Sequence, residues 1–597
     1  MAEKQPSRWS RMPKMSLSSK DLSRRMKKVE GATVRHARRF IFRRWSNFRE
    51  ARRHIALWVL MVGLLVGASG LQLFWYQPSY RTMASGRDGT YAEGVTGPID
   101  TLNPIFAQSS AEESASRLLF SRLLTYDESG KLNYDLAENM SLSENKRTYT
   151  LTIRPDARWH DGLYVRAKDV VFTVNTLKDP ATRTTISGWG DIRVAEVDDR
   201  TVSFTLPVVY AAFPHALNFL PILPSHILRD VAPSALRENA FSLSPVGSGP
   251  FTFRFIQGID QGVDRKIIYL ARNDSYFRGA PQLERMQLHV YANSGDIVRA
   301  LAISEVNAAT DLTLTDSELV DKDRYDVVRQ PVNNAVYALF NTTRGILEDV
   351  KVRQALQVGT NTPALREQLG EGVPALWLPF INGQVRGDVP AAPVFDPIRA
   401  GALLDEAGWK IKNGTRVKDG QQLNLSVVTT KNSDLEKALQ ILQNQWRALG
   451  LTVTTNIVDP TDPVQNVSVS ILQPRNYDVL INQLSIGGDP DVYAYWHSSQ
   501  ASRGFNFSNY SNANADDALL SARSVTDQNL RDAKYVTFAQ QWMADVPAIG
   551  LYQGTAQYVR GQSVGSSERA QSWVTATDRY SDILYWTVGE RIVYRTP

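Results

Sequence analysis

The sequence predicts a mixed α/β body preceded by a single membrane-length helix, and three observations carry that prediction. Strand-like alternation and helix-like periodicity follow one another along residues 88–597. Residues 55–76 (IALWVLMVGLLVGASGLQLFWY) form the only long apolar run. Charge changes sign across it: residues 1–54 hold 17 of the 67 Lys+Arg but 4 of the 61 Asp+Glu, which leaves 50 basic against 57 acidic residues beyond.

The apolar run contains no charge, and Ser69 and Gln72 are its clearly polar members. About 20 such residues in a helix span a bilayer core roughly 30 Å thick. Trp58 lies near one end, and Phe74, Trp75 and Tyr76 close the other like an interfacial aromatic belt, with Pro78 expected to stop the helix. The Lys/Arg excess before the run places the N-terminus in the cytoplasm and the acidic body outside. A cleaved signal peptide with Val66-Gly67-Ala68 as its small-residue exit would need a 54-residue leader, so an uncleaved single-pass anchor in the lipid bilayer is the better fit. A core helix would leave the charge step unexplained. In the tail, arginines from Arg35 to Arg53 interleave with Phe40, Ile41, Phe42, Trp45 and Phe48. Ile41, Trp45 and Phe48 share one helical face, which suits anionic lipid better than nucleic acid; a plain topology signal is the alternative. Residues 77–90 are polar and glycine-containing, a short stalk.

Cysteine is absent, which removes disulfides, thiolate metal sites, Cys nucleophiles and a lipidated N-terminal cysteine together. A body of about 500 residues can be held by its core alone, in two or more domains. Strands are expected where Tyr149, Leu151 and Ile153 alternate with polar partners, at Val202, Phe204 and Leu206, and at Met286, Leu288 and Val290. One helix is expected after Asp396-Pro397, with Leu403, Leu404 and Ala407 on its inner face and Gly408 at its end. A second carries Leu435, Ala438, Leu439, Leu442, Trp446 and Leu449 on one stripe, stops at Gly450 and is followed by a strand over Leu451–Val458.

Signals for catalysis are weak. His160, His215, His226, His289 and His497 show no metal-binding spacing, and there is no G-x-S-x-G elbow, Walker loop or dinucleotide fingerprint. Gly247-Ser248-Gly249-Pro250 reads as a turn, and so does His160-Asp161-Gly162. No catalytic residue, metal or cofactor is expected.

An ordered series of motifs is more specific. It runs from Ile99-Asp100-Thr101-Leu102-Asn103-Pro104 through Leu119–Asp127, Leu136-Ala137-Glu138 and Thr148–Asn175 (TYTLTIRPDARWHDGLYVRAKDVVFTVN). It continues with Pro245–Phe251 (PVGSGPF), Ala271–Phe277, Phe340-Asn341-Thr342, Val352–Leu356, Phe395–Trp409 and the surroundings of Asp489-Pro490-Asp491. In this order, from Tyr91 to about Gln553, the body resembles the family 5 extracellular solute-binding proteins of ABC importers for peptides, nickel and related solutes. The resemblance implies a two-lobed class II periplasmic-binding-protein-like fold with an extra subdomain in lobe one. Lobe one would take residues 88–332 plus 554–597, with the inserted subdomain at about 130–240, and lobe two residues 333–553. The chain would cross between lobes near Asn333–Asn341 and Pro547–Gln553.

The resemblance further implies a peptide or other small solute in the interlobe cleft and ABC permease subunits as partners, with no nucleic acid and no covalent chemistry. Ile486–Gln500 (IGGDPDVYAYWHSSQ) is the segment most suited to touch solute. Gly487 and Gly488 allow close backbone approach, Asp489 and Asp491 offer acceptors, and Tyr493, Tyr495 and Trp496 offer flat apolar surface. Asp489-Pro490 equally fits a helix N-cap, and Tyr493 and Trp496, three apart, equally fit a core stripe. Peptide-binding members carry, three residues before the Asp-Pro pair, an aspartate that clamps the peptide amino group; here Ile486 stands there, and it cannot pair an ammonium. Trp377 on a lobe-two loop, Asn341 beside the crossing and Trp189 between Gly188 and Gly190 complete the candidates. Two rival functions stay open: a receptor or sensor on the same fold that does not serve transport, and a peptidase or glycosidase using cleft carboxylates.

Overall fold

The computed structural model describes residues 45–85, 89–259, 265–459, 466–565 and 572–594. The expected amphipathic helix of the basic tail lies outside the described residues up to position 44. The first described element, α1 (Trp45–Tyr80), is 36 residues long. Within it Arg52–Gln72, 21 residues, is apolar and long enough to cross a membrane, and none of it is buried. A core helix would bury such side chains, so that alternative falls. Pro78 does not stop the helix, which runs on to Tyr80; a proline this close to the end removes only one backbone hydrogen bond from the last turn.

The body is a separate compact unit. Among its described residues, ten strands form one sheet. In chain order they are β1 (Thr90–Thr96), β2 (Phe251–Gly258), β3 (Lys266–Arg272), β4 (Arg285–Tyr291), β5 (Ala308–Ala309), β6 (Tyr325–Phe340), β7 (Asn424–Thr430), β8 (Thr452–Val458), β9 (Val479–Ser485) and β10 (Ala548–Gly561). Their spatial order is β8-β7-β9-β6-β10-β5-β1-β4-β3-β2. One half is built on parallel pairs β1–β4 and β1–β5, the other on parallel pairs β7–β8 and β7–β9. The long strands β6 and β10 join the halves, antiparallel from Tyr325↔Gly561 to Leu339↔Ala548, with a register break between Pro331 and Ala335. A break of this kind disrupts the ladder locally and increases the strand's twist.

β6 also shows why the second lobe has helices on both faces. Ala335, Tyr337 and Leu339 join one apolar cluster with Trp496, Tyr535 and Trp542, while Val336, Ala338 and Phe340 join another with Leu439, Leu442 and Trp446. Alternate side chains of a strand point to opposite faces, so a run with no polar partners is buried twice. α2 (Pro397–Glu406) and α3 (Ser433–Ala448) cover the second face. Asp396 caps α2 by accepting from Arg399 N, and Asn432 caps α3 by accepting from Asp434 N and Leu435 N. α4 (Ala513–Ser524) and α5 (Gln528–Asp545) cover the first face. The first lobe has its own cluster, including Tyr91, Val95, Leu118, Trp159, Phe213, Met286 and Trp586. Residues 137–205 add a separate four-stranded antiparallel sheet holding the predicted strands at Thr148–Ile153 and Thr201–Thr205. The C-terminal segment is pinned back on β1 by a fully buried pair, Arg579 Nε–Glu93 Oε1 at 2.7 Å.

Candidate functional site

The seam between the lobes is built on Ile486–Tyr493, the turn that follows β9. Gly487 has φ +79°, a left-handed conformation that glycine adopts without strain. Its carbonyl accepts from Asn333 Nδ2 and Gln384 Nε2, both at 2.8 Å, and Ile486 N donates to Asn333 O at 2.9 Å. The turn is therefore tied to Asn333 of β6. Gly488 lies against Tyr126 of the first lobe so closely that a Cβ would come within 2.7 Å of two ring carbons.

Asp489 does not cap a helix; the next helical turn begins at Tyr493. Its carboxylate takes both arms of Arg531 at 2.8 Å each. Arg531 also donates to Ala522 O and Tyr535 Oη. From the first lobe, His215 Nε2 stands 3.9 Å from Asp489 Oδ2, and its Nδ1 is 2.8 Å from Tyr126 Oη. Burial holds the His215 pKa below the usual imidazole range, against the upward pull of Asp489. Asp491 pairs with Arg523 Nε at 3.1 Å, and burial raises its carboxyl pKa despite that partner. The Arg523 guanidinium lies between two rings, 4.6 Å from that of Tyr210 in the first lobe and 4.4 Å from that of Tyr493 in the second. Ala211 N donates to Arg523 O at 2.9 Å across the seam.

Two cavities are lined by neighbours of this turn: Asn334, next to Asn333, lines one, and Arg523, the partner of Asp491, lines the other. One, of about 490 Å³, includes in its lining Asp311, Asn334, Lys431, Asn432, Asp434, Asn482, Gln483 and Gln557. It lies at the carboxyl ends of β5 and β7, one from each lobe, where open α/β sheets place their ligands. Its groups are mostly neutral amides and hydroxyls, suited to exchanging hydrogen bonds with a solute's own amides. Its charges are largely spoken for: Asp311 Oδ2 accepts from Thr96 N at 2.8 Å, Asp434 Oδ2 from Leu314 N at 3.2 Å, and Lys431 Nζ pairs with Asp459 at 2.7 Å. Burial raises the Asp434 carboxyl pKa. The other cavity, of about 590 Å³, is apolar and lined by Trp189, Phe213 and Leu520 among others.

The predicted residues divide accordingly. Ile486, Gly487, Gly488, Asp489 and Tyr493 come together on the seam, and Trp189 lines the apolar cavity. Ile486 is buried in an apolar cluster of the second lobe. Trp377 lies half-buried in that lobe with Nε1 donating to Pro390 O at 2.9 Å. Trp496 is fully buried, edge-on to Tyr337 and Trp542, and its indole N–H donates to Pro379 O. Asn341 directly follows β6, and its Nδ2 donates to Arg475 O and Tyr477 O. The polar cavity escaped the sequence reading. Its one visible signal was Thr430-Lys431-Asn432, a strand end running straight into a helix cap.

His160, the candidate turn histidine, is held as a structural bridge. Gly247 N donates to its Nδ1 at 3.1 Å, and its Nε2 is 3.1 Å from Gly249 O. That pattern fixes the neutral tautomer with its proton on Nε2.

Two lobes joined by paired crossing strands, with cavities along their seam, define a cleft-type binding protein. The chain belongs to the bacterial extracellular solute-binding proteins, family 5 (the family's middle region), whose model matches residues 131–507. The oligopeptide-binding protein AppA of Bacillus subtilis is 28% identical over 484 residues, covering 78% of this chain and 86% of its own length. The structure of that AppA in complex with a nonapeptide has a TM-score of 0.69 at 25% identity, covering 85% of this chain and 100% of the other. NikZ from Campylobacter jejuni, solved in complex with nickel and L-histidine, has a TM-score of 0.70 at 23% identity, covering 83% and 99%.

Proposed function

We propose that this protein is the membrane-anchored receptor of an ABC importer, holding a peptide-like solute between its lobes on the outer side of the membrane and passing it to the permease. The observation that carries this reading is the amide-lined cavity at the carboxyl ends of β5 and β7. Neutral side-chain amides bind peptide groups without regard to sequence, as a receptor for varied peptides requires. The oligopeptide-binding relative from Bacillus subtilis supports the same solute class. In this reading lobe one comprises residues 88–332 with 554–597, lobe two residues 333–553, and the register break near Pro331 is the hinge. The unburied apolar helix keeps the receptor beside its permease, with the tail of residues 1–54 in the cytoplasm.

The test uses the full chain in detergent: native mass spectrometry for co-purifying solute, then titration calorimetry with that solute or with short peptides. The expected result is one bound solute per chain, lost on Asn432→Leu and Asn482→Leu substitution with folding retained. Tight binding that survives both substitutions would refute this assignment of the cavity. Protease added to right-side-out cells should remove the body and spare the tail.

A further inference from the structure

The cavity at Trp189 differs in kind from the amide-lined one. Trp189, Ile192, Leu206 and Phe213 are buried side chains of its wall, and Trp189 stands edge-on to Phe213 at 6.1 Å. Its rim carries Val208 from the first lobe and Leu520 from the second, 66% and 48% exposed. Apolar side chains left in water at the mouth of an apolar cavity gain free energy when a matching group covers them. Arg523 brings no free charge, because Asp491 neutralises it and two tyrosine rings enclose it. Asp191, also in the lining, is an exposed residue, so its carboxylate keeps access to water. The volume of about 590 Å³ is that of a small-molecule site. Gly188, at φ +90° with open space where a Cβ would stand, lets the chain turn and present the indole.

From this geometry we infer that the Trp189 cavity is a recognition site for an uncharged apolar group, aromatic or branched aliphatic. This rests on the solute-binding reading only in part. The group is either a side chain of the solute held in the amide-lined cavity or a separate small molecule. Because its walls come from both lobes, filling it favours the closed arrangement in either case.

The experiment compares peptides Ala-X-Ala-Ala and Ala-Ala-X-Ala, with X alanine, leucine, phenylalanine or glutamate, and indole as the free probe. Calorimetry is run on the full chain in detergent and on its Leu520→Asp and Val208→Asp variants, at rim positions that can change without loss of the fold. At one peptide position leucine and phenylalanine should bind about tenfold or more tighter than alanine, with glutamate no better than alanine. Either variant should erase that preference while keeping the affinity of the all-alanine peptide. Indole binding that is lost in the variants, with no side-chain preference among the peptides, assigns the site to a separate molecule and also supports the inference. Peptide binding without preference, and without indole binding, overturns this inference alone. No binding of any probe overturns it together with the peptide-receptor reading.

Discussion

Replacing Arg531 with methionine should expose how the seam is held. Asp489 and Arg531 have side chains only 9% and 5% exposed, joined by two 2.8 Å hydrogen bonds. Methionine fills much of the volume but leaves the Asp489 carboxylate buried, with the Asp491 N–H at 3.0 Å as its remaining hydrogen-bond donor. Breaking a buried pair from one side costs about 3–5 kcal/mol. Adding Asp489→Asn removes the orphaned charge, so the double variant should recover most of the loss. Arg531 also depresses the His215 pKa, while Asp489 raises it. Without the arginine, His215 protonates at higher pH and its imidazolium partly replaces the lost partner. The defect should therefore shrink as pH falls from 8 towards 6. The assay is urea unfolding of the full chain in detergent, followed by tryptophan fluorescence at both pH values. A loss below about 1 kcal/mol, or a double variant no better than Arg531→Met, would refute the reasoning.

Other outcomes follow from the same geometry. Gly488→Ala puts a methyl into the Tyr126 ring, so solute affinity should fall at least about tenfold while the unfolding midpoint stays put; small-angle scattering with solute should show the lobes held apart. Burial lowers the pKa of His160, and likewise of His289 with a smaller push from Arg265, each from 6.5 to about 4. The unfolded chain then binds more protons between those values, so stability is lost as pH falls from 6.5 to 4, by about 3 kcal/mol per histidine. His289→Gln should flatten its share of a pH–stability curve, and an unchanged slope would count against it. Ile486→Asp should admit free-amine peptides that the parent binds weakly and, because the site is buried, lower stability by about 1–3 kcal/mol without ligand. Calorimetry with free and N-acetylated forms of one peptide checks this; equal affinities before and after would sink the assignment.

Much of the fold was legible because the relevant signals are local. The alternation at Thr148–Ile153, the Asp396-Pro397 cap and the stripe from Leu435 to Leu449 each became the predicted element, since periodicity and capping act within a few residues. The site was only partly legible. Gly487, Gly488 and Asp489 drew notice as a turn, but nothing in the turn announced Arg531, 42 positions later, or Tyr126 and His215 from the other lobe. Trp496 looked like a ligand surface because its spacing from Tyr493 suits either role; its burial against Tyr337 and Trp542 was decided by β6 and α5.

The sequence by itself determined the membrane-length helix, the charge step across it, the α/β body and, through its ordered motifs, the family. Those depend on composition, short-range periodicity and local turn chemistry. Only the tertiary structure decided which acids were free. Asp489 and Asp491, open acceptors on paper, are neutralised by arginines brought from α5 and α4, and the polar lining of the amide-rich cavity is drawn from the ends of β5 and β7 and from β6, β9 and β10, which come together only when the sheet is assembled. Charge pairing and cavity shape depend on contacts between residues tens to hundreds of positions apart, and no window along the chain contains them.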